Sequence, residues 1–402
     1  MRPYLRLLEA PGAIPALDGL RGMAILMVVF FHAADSFRPP AGGLLAIGGW
    51  DLATPLYSGW LGVNLFFVLS GFLIAWHLLS RWTPAVSGRE ISAYLTRRWL
   101  RIVPTYYFVL FVAAFELTPH HPVEPGQLGL RITYHMLFLQ DYLPGSILGP
   151  FWSLGVEEKF YLLMPLVLLA AWRLGTDRGA MALLAGIAAL PLLTRLGMWL
   201  AGAAQAPDTF THVWRNPFHL NLDALFLGAL AAWVVHRRDA LRVPVGAPAW
   251  LLGAGAAVIA TLAVTAALPG NRSPFFHQVL VTPLGSIGMA GIVLGAALAP
   301  AGHRPMLEGR WLARAGKIAY PWYLTHVLVM WWAWGDLRAA FPGVAELAPP
   351  VQFAVFLPVY LAASITAALL VHFAVEKPFL ILKDRVGAAS PAAIAASTLP
   401  TA

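Results

Sequence analysis

The stretch LDGLRGMAILMVVFFHAAD, beginning at Leu17, sets Arg21 and His32 eleven residues apart in an otherwise apolar run. On an α-helix that separation is three turns plus about 20°, with a rise of roughly 16 Å, so both side chains share a face. Imidazole has a pKa of about 6.5 and can take a proton from an attacking hydroxyl near neutral pH. Guanidinium presents a planar fork of donors that suits a phosphate or a carboxylate. Asp18 stands where it can cap the helix start. The plainer reading makes Arg21 a snorkelling anchor and His32 a histidine bonded to a neighbouring helix. Ionisable groups within a membrane are costly and usually mark a pathway or site, which favours the functional reading.

Other groups could share that chemistry. Arg97, Arg98 and Arg101 sit at offsets of three and four, so Arg101 neighbours both others. They are either positive-inside anchors or phosphate ligands. Ser70 lies beside Gly71 in an apolar run, where small residues let helices approach closely. Glu157 and Glu158 are expected in the first turn of a helix, about 100° apart, so one can face a site while the other pairs elsewhere. Either could orient His32 and stabilise its imidazolium. Tyr320, Tyr323 and His326 recur every three residues as a polar stripe. His219 and Asp223, four apart, can meet on one face, and Glu376 at a helix C-terminus is expected to pair with Arg97, Arg98 or Arg101. The chain has no cysteine, which excludes disulfides, thiolate metal sites and a cysteinyl acyl-enzyme. No metal-binding spacing is present, so no metal is expected.

The elements that must position these groups are helices in hydrocarbon. Of 402 residues, 59% are hydrophobic and 11% charged, and apolar runs approach the length that spans a bilayer of about 30 Å. The class is all-α and polytopic, with about ten crossings near 18–35, 59–79, 100–118, 151–172, 179–200, 218–236, 249–268, 275–299, 316–335 and 351–373. With a cytoplasmic N-terminus, 20 of the 27 basic residues fall inside, which puts both termini in the cytoplasm. The net charge of +8 then faces anionic lipid, and nucleic acid is not an expected partner. The first run lacks a cleavage site and is expected to be retained. The outer segment LGLRITYHMLFLQDYL is too short to span and reads as re-entrant or interfacial. Residues 1–386 form one membrane domain, and 387–402 are expected to be a disordered cytoplasmic tail with no soluble domain appended.

At LDGLRG and its following histidine the chain resembles the acyltransferase-3 family of multi-pass membrane O-acyltransferases. GVNLFFVLSGFLI at 62–74, RRWLRIVPTYY at 97–107, FWSLGVEEKFYLLMP at 151–165, YPWYLTH at 320–326 and VEKP at 375–378 are similar to its later motifs, in order. The resemblance implies transfer of an acyl group from cytoplasmic acyl-CoA, a co-substrate rather than a bound cofactor, to a hydroxyl of a sugar, lipid or secondary metabolite at the inner membrane. It implies His32 as catalytic base; Arg21 would then face the donor from the same side or position a carboxylate, and Glu157 or Glu158 remains the candidate to orient the imidazole. Donor binding would fall to Arg97, Arg98, Arg101, Ser70, Tyr106, Tyr320 and His326, with Asn64 as a further polar contact. Two departures stand out: Lys159 occupies a position where the family usually has glutamine, placing a charge beside the glutamates, and Ala319 one where it usually has serine. With no cysteine and no recognisable seryl elbow, the acyl group is expected to pass directly from thioester to hydroxyl. A polytopic transporter or flippase is the alternative class, since ten helices with midplane charges suit that task too.

Overall fold

The computed structural model describes residues 14–39, 43–48, 50–117, 127–143, 146–202, 210–267, 273–300 and 302–386, so the expected tail at 387–402 lies outside the described residues. The class is all-helical: the strands among the described residues are a two-residue pair, β1 (Ala46–Ile47) antiparallel to β2 (Trp50–Asp51). That hairpin is tied by the Asp51 carboxylate, which accepts from the amides of Leu44, Leu45 and Ala53.

Helix α1 (Pro15–Ser36) starts at Pro15, whose fixed φ suits the first helical position. This displaces the expected cap: Ile14 precedes the helix without a side-chain bond, and Asp18 sits in the first turn, 3.9 Å from Arg21. A short α2 (Thr54–Tyr57) and one 3₁₀ turn lead into α3 (Leu61–Leu79). Helix α4 (Gly88–Ala114) opens with a capping box in which Glu90 N–H donates to Ser87 Oγ at 3.3 Å and Ser87 N–H donates to Glu90 Oε2 at 2.8 Å. The outer segment forms α5 (Leu128–Met136), nine residues long and too short to span. Then come α6 (Trp152–Arg173), α7 (Asp177–Leu200), α8 (Leu222–His236), α9 (Ala247–Ala267), α10 (Val281–Leu298), α11 (Arg310–Lys317), α12 (Ala319–Ala340), α13 (Pro349–Val371) and α14 (Lys377–Arg385).

Among the described residues six stretches are long and apolar enough to cross a membrane: Pro15–Ser36, Thr54–Leu79, Asp177–Leu200, Ala247–Thr265, Phe276–Leu298 and Pro349–Arg385. Helices α4, α6, α8 and α12 occupy the other four expected segments but are shorter or more polar. α3 and α10 lie largely inside, whereas α7, α9 and α13 turn apolar residues such as Leu193, Val264 and Leu370 outward.

Two glycine contacts set the spacing of the inner helices. A Cβ on Gly71 would lie 1.9 Å from the Leu225 carbonyl oxygen, and one on Gly228 would lie 2.1 Å from that of Val68. Backbones of α3 and α8 therefore touch, the close approach that small residues permit between membrane helices. The glycines of LDGLRG do the same for α1: a Cβ on Gly22 would lie 2.0 Å from the Leu312 carbonyl of α11. We expect Gly71→Val to destabilise the protein by the overpacking cost of about 1–3 kcal/mol or more. Gly253→Ala, which meets nothing within 4 Å, should lose no stability, as read from melting temperatures in detergent.

Candidate active site

A cavity of about 370 Å³ opens among α1, α3, α4, α6 and α12. Helix α1 contributes Asp18 and Arg21; α3 contributes Ser70 and His77, with Ser80 and Arg81 just beyond its end; α4 contributes Arg98 and Arg101. Ser153, Glu157 and Tyr161 come from α6, and Tyr320 and Tyr323 from α12. The arginines gather where α1 begins and α3 ends, while Ser153 stands at the opposite end, where α6 begins. Four guanidiniums against two carboxylates leave this space cationic, matched to a polyanion.

Each charge is held by defined neighbours. Arg98 lies 5.8 Å from the Tyr94 ring centroid and 5.9 Å from that of Tyr161. The Glu157 carboxylate accepts from Ser70 Oγ at 2.8 Å and from the Tyr161 hydroxyl at 3.0 Å. Since α6 begins at Trp152, Glu157 and Glu158 fall one turn further in than expected and lie outside the first turn. They diverge as adjacent residues must: Glu157 faces the cavity, whereas Glu158 does not line it, and its Oε1 is buried without a hydrogen bond. Tyr320 donates to the Ile102 carbonyl at 2.8 Å, joining α12 to α4.

At the far end, the Tyr323 hydroxyl is 2.7 Å from Ser153 Oγ and donates to the Pro150 carbonyl at 2.8 Å. The Tyr323 ring lies 5.6 Å from His326, whose ring lies 5.1 Å from His32. His326 is fully buried, with Nδ1 2.7 Å from the Tyr323 carbonyl. A carbonyl only accepts, so Nδ1 carries the hydrogen, and Nε2, unpartnered, keeps a free lone pair. His326 therefore faces His32 and does not line the cavity.

Several expected residues take other places. Neither Glu157 nor Glu158 bonds to His32 among the described residues. Arg97, about 100° around α4 from Arg98, is not part of the cavity wall. Tyr106 packs against Phe138 and Phe151 with its hydroxyl directed at the His135 carbonyl, away from the cavity. Asn64 donates to Ser286 of α10 at 3.1 Å. The expected His219–Asp223 pair does not form: His219 Nδ1 is 3.0 Å from the Tyr142 hydroxyl, and Asp223 is 3.8 Å from the buried Arg195. Glu376 pairs with His372 at 2.6 Å across a π turn (His372–Glu376), a local partner that needs no approach from α4. Lys159 turns away from the glutamates, donating to the Gly155 carbonyl and to Asp141 of the outer segment. Burial pushes the Asp141 carboxyl above its ordinary range against the opposing pull of Lys159.

Sequence reasoning passed over His77, Arg81 and Tyr161. A signal was present: Ser70, His77 and Arg81 follow at offsets of seven and four, one helical face, and Tyr161 is four beyond Glu157. Arg81 had been indistinguishable from an anchoring charge.

A family model described as an acyltransferase domain matches residues 14–372. Peptidoglycan O-acetyltransferase OatA of Listeria monocytogenes is 28% identical over 169 residues, 39% of this chain and 24% of the relative. O-acetyltransferase OatA of Staphylococcus aureus is 27% identical over 176 residues, 41% of this chain and 26% of the relative. Acyltransferase MdmB of Streptomyces mycarofaciens is 26% identical, covering 92% of this chain and 93% of the relative. The chain thus spans about a quarter of the length of both OatA proteins and nearly all of MdmB. No solved structure matches the chain.

Lys159→Met leaves Asp141 buried without its cation. Lys159 is partly exposed, so the expected loss lies at the low end for a broken buried pair, about 3 kcal/mol. The double variant Asp141→Asn with Lys159→Met should recover most of it, a coupling that thermal unfolding of the four-protein cycle measures.

Proposed function

The chain belongs to the acyltransferase family whose model it matches over residues 14–372, and on that premise we propose that it moves an acyl group, acetyl or another short chain, from cytoplasmic acyl-CoA to a hydroxyl. The acceptor is a sugar, a lipid or a secondary metabolite, and the protein works in the plasma membrane. In this reading α4, α6, α8 and α12 also cross, giving ten passes with both termini cytoplasmic. The observation that carries the reading is the cavity with Arg21, Arg81, Arg98 and Arg101 at one end and Ser153 and Tyr323 at the other. His326 and His32 follow beyond.

The arginines hold the diphosphate and 3′-phosphate of the donor, for which forked donors are suited. The thioester arm runs past Ser70 and Glu157 toward Tyr323. Glu157, with both oxygens occupied, fixes the Ser70 and Tyr161 hydroxyls along that path. The free Nε2 of His326, its ring 5.1 Å from that of His32, is placed to take a hydrogen from one nitrogen of His32 once a small shift brings the rings together, leaving the other nitrogen as base. As the acceptor oxygen attacks the thioester carbon, His32 takes its proton. A C–O bond forms, the C–S bond breaks, and the imidazolium returns the proton to the departing sulfur. Both substrates are bound together, so proximity supplies much of the acceleration.

His32→Ala should lower transfer about 100- to 10,000-fold while acyl-CoA still binds, the loss expected for a general base. Full turnover by that variant would sink the mechanism. Arg81→Ala, Arg98→Ala and Arg101→Ala should each raise the KM for acyl-CoA more than that for acceptor, and Arg97→Ala should do so least. Equal effects at all four positions would return the cluster to anchoring. Initial-rate plots varying both substrates should intersect, and release of free CoA separates this reading from a transporter.

A further inference from the structure

Arg215 stands beyond the cavity, at the end of a π turn (Phe210–Arg215). Its guanidinium carbon is 4.9 Å from the centroid of Trp60 and 5.5 Å from that of Trp152. Both indoles lie at the same ends of their helices: Trp60 immediately precedes α3, and Trp152 begins α6 beside Ser153. A Cβ on Gly59 would lie 2.2 Å from the Met27 carbonyl and 2.9 Å from Phe31 Cβ, so Trp60 adjoins the turn of α1 that carries His32. The Arg215 carbonyl accepts from Asn221 at 2.7 Å, but among the described residues no carboxylate pairs with its guanidinium and no hydrogen bond engages it, and the residue remains partly accessible.

Two aromatic faces hold a cation but satisfy none of the five N–H donors of guanidinium. Those donors need an acceptor that arrives from outside the protein. We infer that Arg215 binds an anionic group of the acceptor, so that the hydroxyl delivered to His32 belongs to a molecule carrying a carboxylate or a phosphate. This rests on the reading of the site as an acyltransfer centre. Donor and acceptor anions then have separate cations, the four arginines of the cavity for one and Arg215 for the other. Trp60 and Trp152 supply flat apolar walls for the acceptor's carbon skeleton.

The test uses the full chain in lipid nanodiscs saturated with CoA, which occupies the cavity arginines. Glucuronate, glucose 6-phosphate and glucose are titrated while tryptophan fluorescence is read. We expect at least one anionic sugar to bind about 10- to 100-fold more tightly than glucose, the advantage of a hydrogen-bonded charge. A preference for glucuronate assigns the carboxylate, and one for glucose 6-phosphate the phosphate. Arg215→Gln should erase the preference and Arg215→Lys should keep part of it, with CoA affinity reporting that each variant is folded. Equal binding of all three sugars by the natural protein, or a preference that survives Arg215→Gln, overturns the inference. Should Arg215→Gln fail to fold, the three-sugar comparison on the natural protein and on Arg215→Lys decides. Binding needs no turnover, so absence of CoA release would sink the acyltransfer reading without touching this result.

Discussion

A guanidinium or carboxylate in a bundle surrounded by hydrocarbon must find counter-charge, hydrogen bonds or water within the protein. That constraint organises nearly every polar contact in this chain. Arg195 reaches Asp223 and the Leu220 carbonyl; Lys159 reaches Asp141; Glu376 reaches His372. Glu157 is satisfied by two hydroxyls rather than by a cation, which leaves the nearby guanidiniums available to a ligand. Among the described residues the Arg215 guanidinium has no ion pair or hydrogen bond, and the cavity arginines border an open space. A donor and an acceptor with anionic parts would meet the constraint there.

The same constraint explains why three helices fall short of the apolarity expected of a membrane crossing, while a fourth, α8, is apolar but only 15 residues long. Helix α4 carries the arginines, α6 the glutamates and Lys159, and α12 the tyrosines and His326. Their polar faces turn toward each other, and α7, α9 and α13 provide much of the apolar exterior. Chemistry and hydropathy therefore compete for the same helices, and each polar helix settles the competition by turning its polar face to the cavity and apolar residues such as Phe108 of α4 and Leu162 and Leu166 of α6 outward.

Much of this was legible in the chain. Apolar runs located a helix in each of ten segments, and the 3.6-residue period put Arg98 and Arg101 on a common wall and split Glu157 from Glu158. Offsets within one helix are fixed by backbone geometry, so they can be read without a fold. Contacts between distant segments cannot: Ser70 and Glu157 are 87 residues apart, and Tyr142 and His219 are 77. Lys159 seemed to belong with its sequence neighbours, but its long side chain followed the outer segment instead. Asp18 lost its capping role because Pro15 had already started the helix three residues earlier.

Helix α1 is gripped along its length. Near its start the Asp18 carbonyl lies 1.9 Å from where Gly316 would carry a Cβ; farther on, the Ala24 and Met27 carbonyls meet Gly62 and Gly59 at 2.6 and 2.2 Å by the same measure. A helix in backbone contact on two sides cannot tilt or slide without displacing its neighbours. Arg21 and His32, eleven residues apart on it, are therefore spaced by one clamped helix. The outer segment, by contrast, is joined to the bundle through side chains, Lys159 on Asp141, Tyr107 on the Met136 carbonyl and Gln140 on the Phe151 carbonyl.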